Sequence, residues 1–159
     1  MDDPCYVIDT SALVDLRINY RQSNFPSLWD QIAALIAEGR AVAPTQVLHE
    51  LERRDDELLA WVTLHEAMFR EADAACAREV IDAFPGLFDP EKLTEDADPF
   101  VVALARAPSQ MALFSAPTNV VVTHEEMRPG RIRIPDACRH YGIPYMRIPD
   151  LVAREQWSF

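Results

Sequence analysis

Four acidic residues stand where chain-building alone would not ask for an acid. Asp9 follows the bulky run Tyr6-Val7-Ile8, Glu50 lies just past Val47-Leu48, Asp98 precedes Pro99, and Glu125 lies just past Val120-Val121-Val122. Hydroxyl residues accompany them: Thr10 and Ser11 behind Asp9, and Thr123 ahead of Glu125. If folding gathers such carboxylates, they cannot all stay ionised unless cations sit between them. An all-oxygen donor set suits hard divalent ions, Mg²⁺ or Mn²⁺. Two such ions about 4 Å apart fit phosphodiester hydrolysis, one activating water and the other stabilising the leaving oxygen. Thr10 and Ser11 could then orient ligand or water. Taken singly, each acid has a plainer reading: Asp9 and Asp98 as caps, Glu50 as part of the charged face Glu52-Arg53-Arg54-Asp55, and Glu125 and Glu126 as the start of a surface loop.

What would bring the acids together is the arrangement of elements. Tyr6 to Ile8 predicts a strand, and Ala12, Leu13 and Leu16 an apolar segment after it. Asn24-Phe25-Pro26-Ser27 opens a helix with Leu28, Ile32, Leu35 and Ile36 on one face, stopping at Gly39. Ala41 to Pro44 predicts a second strand, with Thr45 capping a helix that carries Val47, Leu48 and Leu51. From Asp55 to Phe84 the pattern reads as helical throughout, with a break near Leu64-His65 and an end at Pro85-Gly86. Pro90 to Asp98 is acidic and turn-rich, and Pro99 to Arg106 predicts a helix capped by Asp98. After a Pro- and Ser-containing loop, Asn119 to Thr123 predicts a buried strand. A helix from Ile134 to Tyr141 stopped by Gly142, a strand from Pro144 to Ile148 and a helix from Pro149 to Gln156 complete the chain.

Strands separated by helices imply a three-layer α/β/α fold around a mostly parallel sheet of four to five strands. Ligands in such folds gather at the carboxyl ends of the strands. Asp9 and Glu125 are therefore expected at one edge of the sheet, with Asp98 and Glu50 able to reach it. Asp15, six residues beyond Asp9, is expected to be exposed. The 159 residues suit one domain, 1–159, with a single core.

A net charge of −11 disfavours a nonspecific nucleic-acid coat, although bound cations would reverse the local charge at an acidic cleft. No segment approaches a membrane span and no export signal opens the chain, so a cytoplasmic protein without membrane attachment is expected. Cys5, Cys76 and Cys138 are odd in number and widely spaced, which predicts neither a disulfide framework nor a zinc knuckle. Other chemistries of a strand-end aspartate fail on particular residues. A haloacid-dehalogenase-type phosphotransferase needs a second aspartate where Ser11 stands. A receiver domain needs a late lysine, whereas the one lysine is Lys92. A dinucleotide fold needs a glycine-rich first turn, and the four glycines are Gly39, Gly86, Gly130 and Gly142.

The run VIDTSALVDL resembles the opening of PIN-domain nucleases, including VapC-type toxins. VAPTQVLHELERRDDELLAW is similar to that family's second motif, ADPFVVALA to its third and VVVTHEE to its last, while IPDACRHYGIPY is similar to a PIN-like branch annotated chiefly as a domain of unknown function. The resemblance covers nearly the whole chain. It implies a Mg²⁺- or Mn²⁺-dependent ribonuclease whose metal ligands are Asp9, Glu50, Asp98 and Glu125. It further implies the toxin half of a bacterial toxin-antitoxin pair, acting as a homodimer with a cognate antitoxin. Glu52 competes with Glu50, Asp96 with Asp98 and Glu126 with Glu125, and Asp136 is a candidate outer-shell carboxylate. Arg128, Arg131 and Arg133 are candidates to hold RNA phosphates. His124 is a weaker candidate donor, and His49, His65 and His140 show no ligand spacing. Trp29, Trp61 and Trp157 are expected on helices as anchors. Two other functions stay open: a non-catalytic PIN-like interaction module with vestigial acids, and a structure-specific DNA nuclease.

Overall fold

The computed structural model describes residues 3–54, 56–92, 96–111 and 118–159. Five short parallel strands form the sheet: β1 (Cys5–Ile8), β2 (Ala41–Pro44), β3 (Phe69–Arg70), β4 (Asn119–Val122) and β5 (Tyr145–Met146), in the spatial order β3-β2-β1-β4-β5. Eight α-helices flank them among the described residues: α1 (Thr10–Asn19), α2 (Pro26–Ala37), α3 (Thr45–Arg54), α4 (Asp56–Leu64), α5 (Ala74–Ala83), α6 (Asp98–Met111), α7 (Ile134–Tyr141) and α8 (Ile148–Arg154). The architecture is the expected α/β/α, with every strand pair parallel.

The central strands are bulky and apolar because both faces of the sheet are covered. Tyr6, Val7 and Ile8 of β1 and Val120, Val121 and Val122 of β4 are at most 1 % exposed. Helix α6 packs against β1, β2 and β4, with α5 and α7 beside it. At the opposite end of β1 from Asp9, Glu155 accepts hydrogen bonds from the Tyr6 hydroxyl and from Arg40, the latter at 2.6 Å, tying the end of α8 to the sheet. The cysteines are free thiols.

Several boundaries differ from the sequence reading. In the stretch read as helical from Asp55, which itself lies outside the described residues, to Phe84, the break expected near Leu64-His65 is present, but a 3₁₀ turn at Glu66–Met68 and the edge strand β3 follow it before the helix resumes. Two residues of strand carry no readable alternation, and Phe69 becomes β only by pairing with Ala43 of β2. Helix α6 runs to Met111 rather than ending at Arg106, so the start of the expected Pro- and Ser-containing loop is helical, and residues 112–117 lie outside the described part. Ala97, not Asp98, takes the cap position: its carbonyl accepts from Phe100 and Val101. The last strand is two residues long, the last helix ends at Arg154, and Trp157 falls beyond it. Trp29 and Trp61 are buried and meet edge to face with centroids 5.0 Å apart.

The strand order reverses between β1 and β4. The chain moves outward from β1 through β2 to β3, then returns to the far side of β1 for β4 and β5. The connections leaving the carboxyl ends of β1 and β4 therefore diverge, and a crevice opens between them. Among the described residues no helix is long and apolar enough to cross a membrane.

Candidate functional site

Register decides what stands at that crevice. Cys5, Tyr6, Val7 and Ile8 pair with Asn119, Val120, Val121 and Val122. One residue on, Asp9 and Thr123 fall side by side, and the Thr123 hydroxyl donates to Asp9 Oδ2 at 2.6 Å. Asp9 also caps α1, its Oδ1 accepting from the Ala12 amide at 2.8 Å, and the Ser11 hydroxyl lies 2.9 Å from both carboxylate oxygens. Ser11 Oγ in turn accepts from the His124 amide at 3.0 Å. Turn capping and site placement are thus one arrangement. Asp9 is 2 % exposed, and burial, with a further push from Glu125, raises its carboxyl to about 7 against the donors that favour its ionised form.

The other acids arrive from separate elements. A cleft of about 420 Å³ at the crevice is lined by Asp9, Glu50, Asp98 and Glu125 together. Glu50, on α3, accepts from the Ala97 amide at 2.8 Å and so fastens the start of α6. Glu125 accepts from the Ile134 amide at 3.2 Å, at the positive end of α7. Asp98 accepts no hydrogen bond among the described residues. Burial, followed by repulsion from Glu125, Asp9, Glu50 and Asp96, pushes Asp98 up to about 8. The near-switch position of the acids, and not any one of them, creates that field.

The competing assignments separate on geometry. Glu52 is exposed, whereas Glu50 lines the cleft. Asp96 also lines it, but one oxygen holds Lys92 at 2.5 Å and the other accepts from the Asp89 amide. Glu126 turns away to Arg147 at 3.1 Å. Asp136 is not at the acidic cleft: its carboxylate accepts from the Arg133 amide at 2.8 Å and caps α7. Thr10 lines the cleft with a buried hydroxyl that has no hydrogen-bond partner among the described residues. Of the three arginines, Arg131 lines the acidic cleft, while Arg128 and Arg133 line a neighbouring one.

One expectation is reversed. Asp15 is 8 % exposed and lines the cleft, with Asn19 donating to Oδ1 at 2.5 Å and His124 Nδ1 lying 3.4 Å from Oδ2. The signal was its spacing from Ser11: positions four apart on α1 share a face, so the face that carries Ser11 into the cleft carries Asp15 too. Arg147 was missed altogether, because the residue before α8 joins the crevice only through the pairing of β5 with β4.

The donors here are hard oxygens, with Asp98 unsatisfied, Thr10 orphaned and mutual repulsion unrelieved, which fits a divalent cation. Among the described residues, however, no group of three or more His, Cys, Asp or Glu side chains is already arranged to hold a metal ion. Side chains would have to close around it. A family model described as a domain of unknown function (DUF4411) matches residues 6–159, a span that contains all four acids. No curated protein matches the sequence.

Proposed function

The chain belongs to the DUF4411 family, and from that premise we propose that it is a Mg²⁺- or Mn²⁺-dependent ribonuclease of PIN-like type, acting in the cytoplasm. The observation that carries the reading is Asp98, half-buried in the acidic cleft without a hydrogen-bond donor among the described residues and driven up to about 8 by desolvation and by the surrounding acids. A group in that position gains most from a cation. Asp9, Glu50, Asp98 and Glu125, which line the cleft together, would hold it. A divalent ion bound there would supply activated water and charge neutralisation at a phosphodiester.

The chain's own residues have definite tasks in this scheme. Ser11, Thr123 and the Ala12 amide fix the orientation of Asp9. The Ala97 amide fixes Glu50, and the Ile134 amide fixes Glu125. Arg131 on the cleft's rim would meet substrate phosphate. The resemblance to VapC-type toxins extends the proposal to a homodimer neutralised by a cognate antitoxin. The test is incubation with Mn²⁺ and, in parallel, single-stranded RNA, tRNA and flapped DNA. Cleavage of RNA that Asp9→Asn abolishes is expected. Cleavage that survives this substitution would remove the assigned role, and preference for flapped DNA would make the protein a DNA nuclease.

The absence of a pre-arranged ligand group among the described residues favours a second reading, a PIN-like interaction module whose acids are vestigial. Calorimetric titration with Mn²⁺ separates the two. The module should show no site that Asp98→Asn abolishes.

A further inference from the structure

A second cleft, of about 330 Å³, adjoins the acidic one and is richer in arginine than in acids. Its lining carries three arginines, Arg128, Arg133 and Arg147, against two glutamates, Glu125 and Glu126, with Ser11 and His124 between. Ser11, His124 and Glu125 line both clefts, so the two share a wall. In a chain of net charge −11, three guanidinium groups are gathered at this one place. The guanidinium groups of Arg128 and Arg133 have no acidic partner among the described residues, and Arg133 Nε is buried there without a hydrogen-bond partner.

Arg147 is held at 3.1 Å from Glu126 Oε1 and at 3.1 Å from His124 Nδ1. The Glu126 contact is an open one: the side chains of Arg147 and Glu126 are 45 % and 67 % exposed. Exposed pairs of this kind hold weakly, and an incoming anion can take the carboxylate's place. The anion best suited to several guanidinium groups is a phosphate, which offers them paired acceptor oxygens. A free phosphate would make no use of the shared wall. A polymer would, because its repeating charges can stand on both sides of it.

We propose that this second cleft is a subsite for the backbone phosphate of RNA next to the one in the acidic cleft, with Arg147 as its principal ligand and Glu126 as the internal anion that the phosphate displaces. The proposal rests on the ribonuclease reading. Arg128 and Arg133 complete the positive wall, and the His124–Ser11 ridge is where the strand crosses from one cleft to the other.

The experiment is fluorescence anisotropy with a labelled single-stranded RNA ten-mer in Ca²⁺, alongside calorimetric Mn²⁺ titration of the same proteins. Arg147→Ala should weaken RNA binding about tenfold and lower the salt slope by about one. Arg147→Lys should recover part of the loss, and Glu126→Gln should tighten binding about threefold by removing the competing anion. Mn²⁺ affinity should not change in any of them. RNA binding by Arg147→Ala within twofold of the parent, with Mn²⁺ binding intact, would overturn the subsite and leave the ribonuclease reading standing. A parent that binds neither Mn²⁺ nor RNA would remove both. Displacement of the RNA by an equal concentration of polyglutamate would identify the cleft as a docking site for acidic peptides and overturn the proposal.

Discussion

The Thr123 hydroxyl donates to Asp9 Oδ2 at 2.6 Å, joining residues 114 positions apart in the chain at the first step beyond the paired ends of β1 and β4. This bond, with the Ala12 amide and Ser11, holds a buried carboxylate in one orientation. Thr123→Val keeps the shape and removes the donor. It should destabilise the fold by about 1–3 kcal/mol, the cost of leaving a buried polar group without its partner. Thr123→Ser should restore most of that. Urea denaturation of the three proteins measures it, and a valine variant as stable as the parent would show that the bond contributes nothing.

Asp98 and Asp9 are raised to about 8 and about 7, above the ordinary carboxyl range near 4. Each binds its proton more tightly folded than unfolded, so their stabilising contribution is complete below about pH 4 and is lost as pH rises through about 7 to 8. Without divalent ions, Asp98→Asn should therefore gain on the parent as pH rises. Its melting temperature should exceed the parent's by a few degrees at pH 8.5, on the order of 1–2 kcal/mol, and by less at pH 5. Stabilisation of the parent by Mn²⁺ should grow over the same window, since the ion competes with these protons. Thermal unfolding at both pH values, with and without Mn²⁺, tests both signs. A difference between variant and parent that does not change with pH would contradict the half-buried, repelled carboxyl.

Glu50 does two things that one substitution can separate. Glu50→Gln keeps an oxygen to accept from the Ala97 amide but loses the charge that faces the cleft. Its stability should stay within about 0.5 kcal/mol of the parent, whereas Mn²⁺ affinity should fall about tenfold or more. Glu50→Ala should lose both, with a stability cost of about 1–2 kcal/mol. Equal Mn²⁺ affinity in Glu50→Gln and parent would reduce Glu50 to an anchor for α6.

Gly86 sets the position of the arginine loop. Arg128 and Arg131 flank a Pro129-Gly130 turn in which Gly130 has φ +78°, as the third position of a type II turn requires. The next residue, Ile132, lies so close to Gly86 that an added Cβ would meet Ile132 Cβ at 3.2 Å. Gly86→Val should push Ile132 outward and carry Arg131 with it. The expected result is RNA affinity lowered several-fold and unchanged Mn²⁺ affinity. Ile132→Ala in the same protein should recover most of the RNA affinity. Failure of this second change to rescue would place the effect elsewhere.

The layer order and the ends of the main elements were legible because they follow from local patterns. Bulky residues at Tyr6 to Ile8 and Asn119 to Val122 marked the central strands, and Pro26, Gly39 and Gly142 marked helix ends. The four acids were legible for the same reason, since each sits beside such a mark. Sequence alone could not choose between Glu125 and Glu126, place Asp15 inside the cleft, or bring Arg147 to it. Those outcomes depend on which strands are neighbours. The pairing of β4 with β1 sets Thr123 against Asp9, and the pairing of β5 with β4 brings Arg147 to His124 and Glu126. Strand register is a long-range choice made by the packed core, and the field that raises Asp98 exists only after that choice has drawn the acids together.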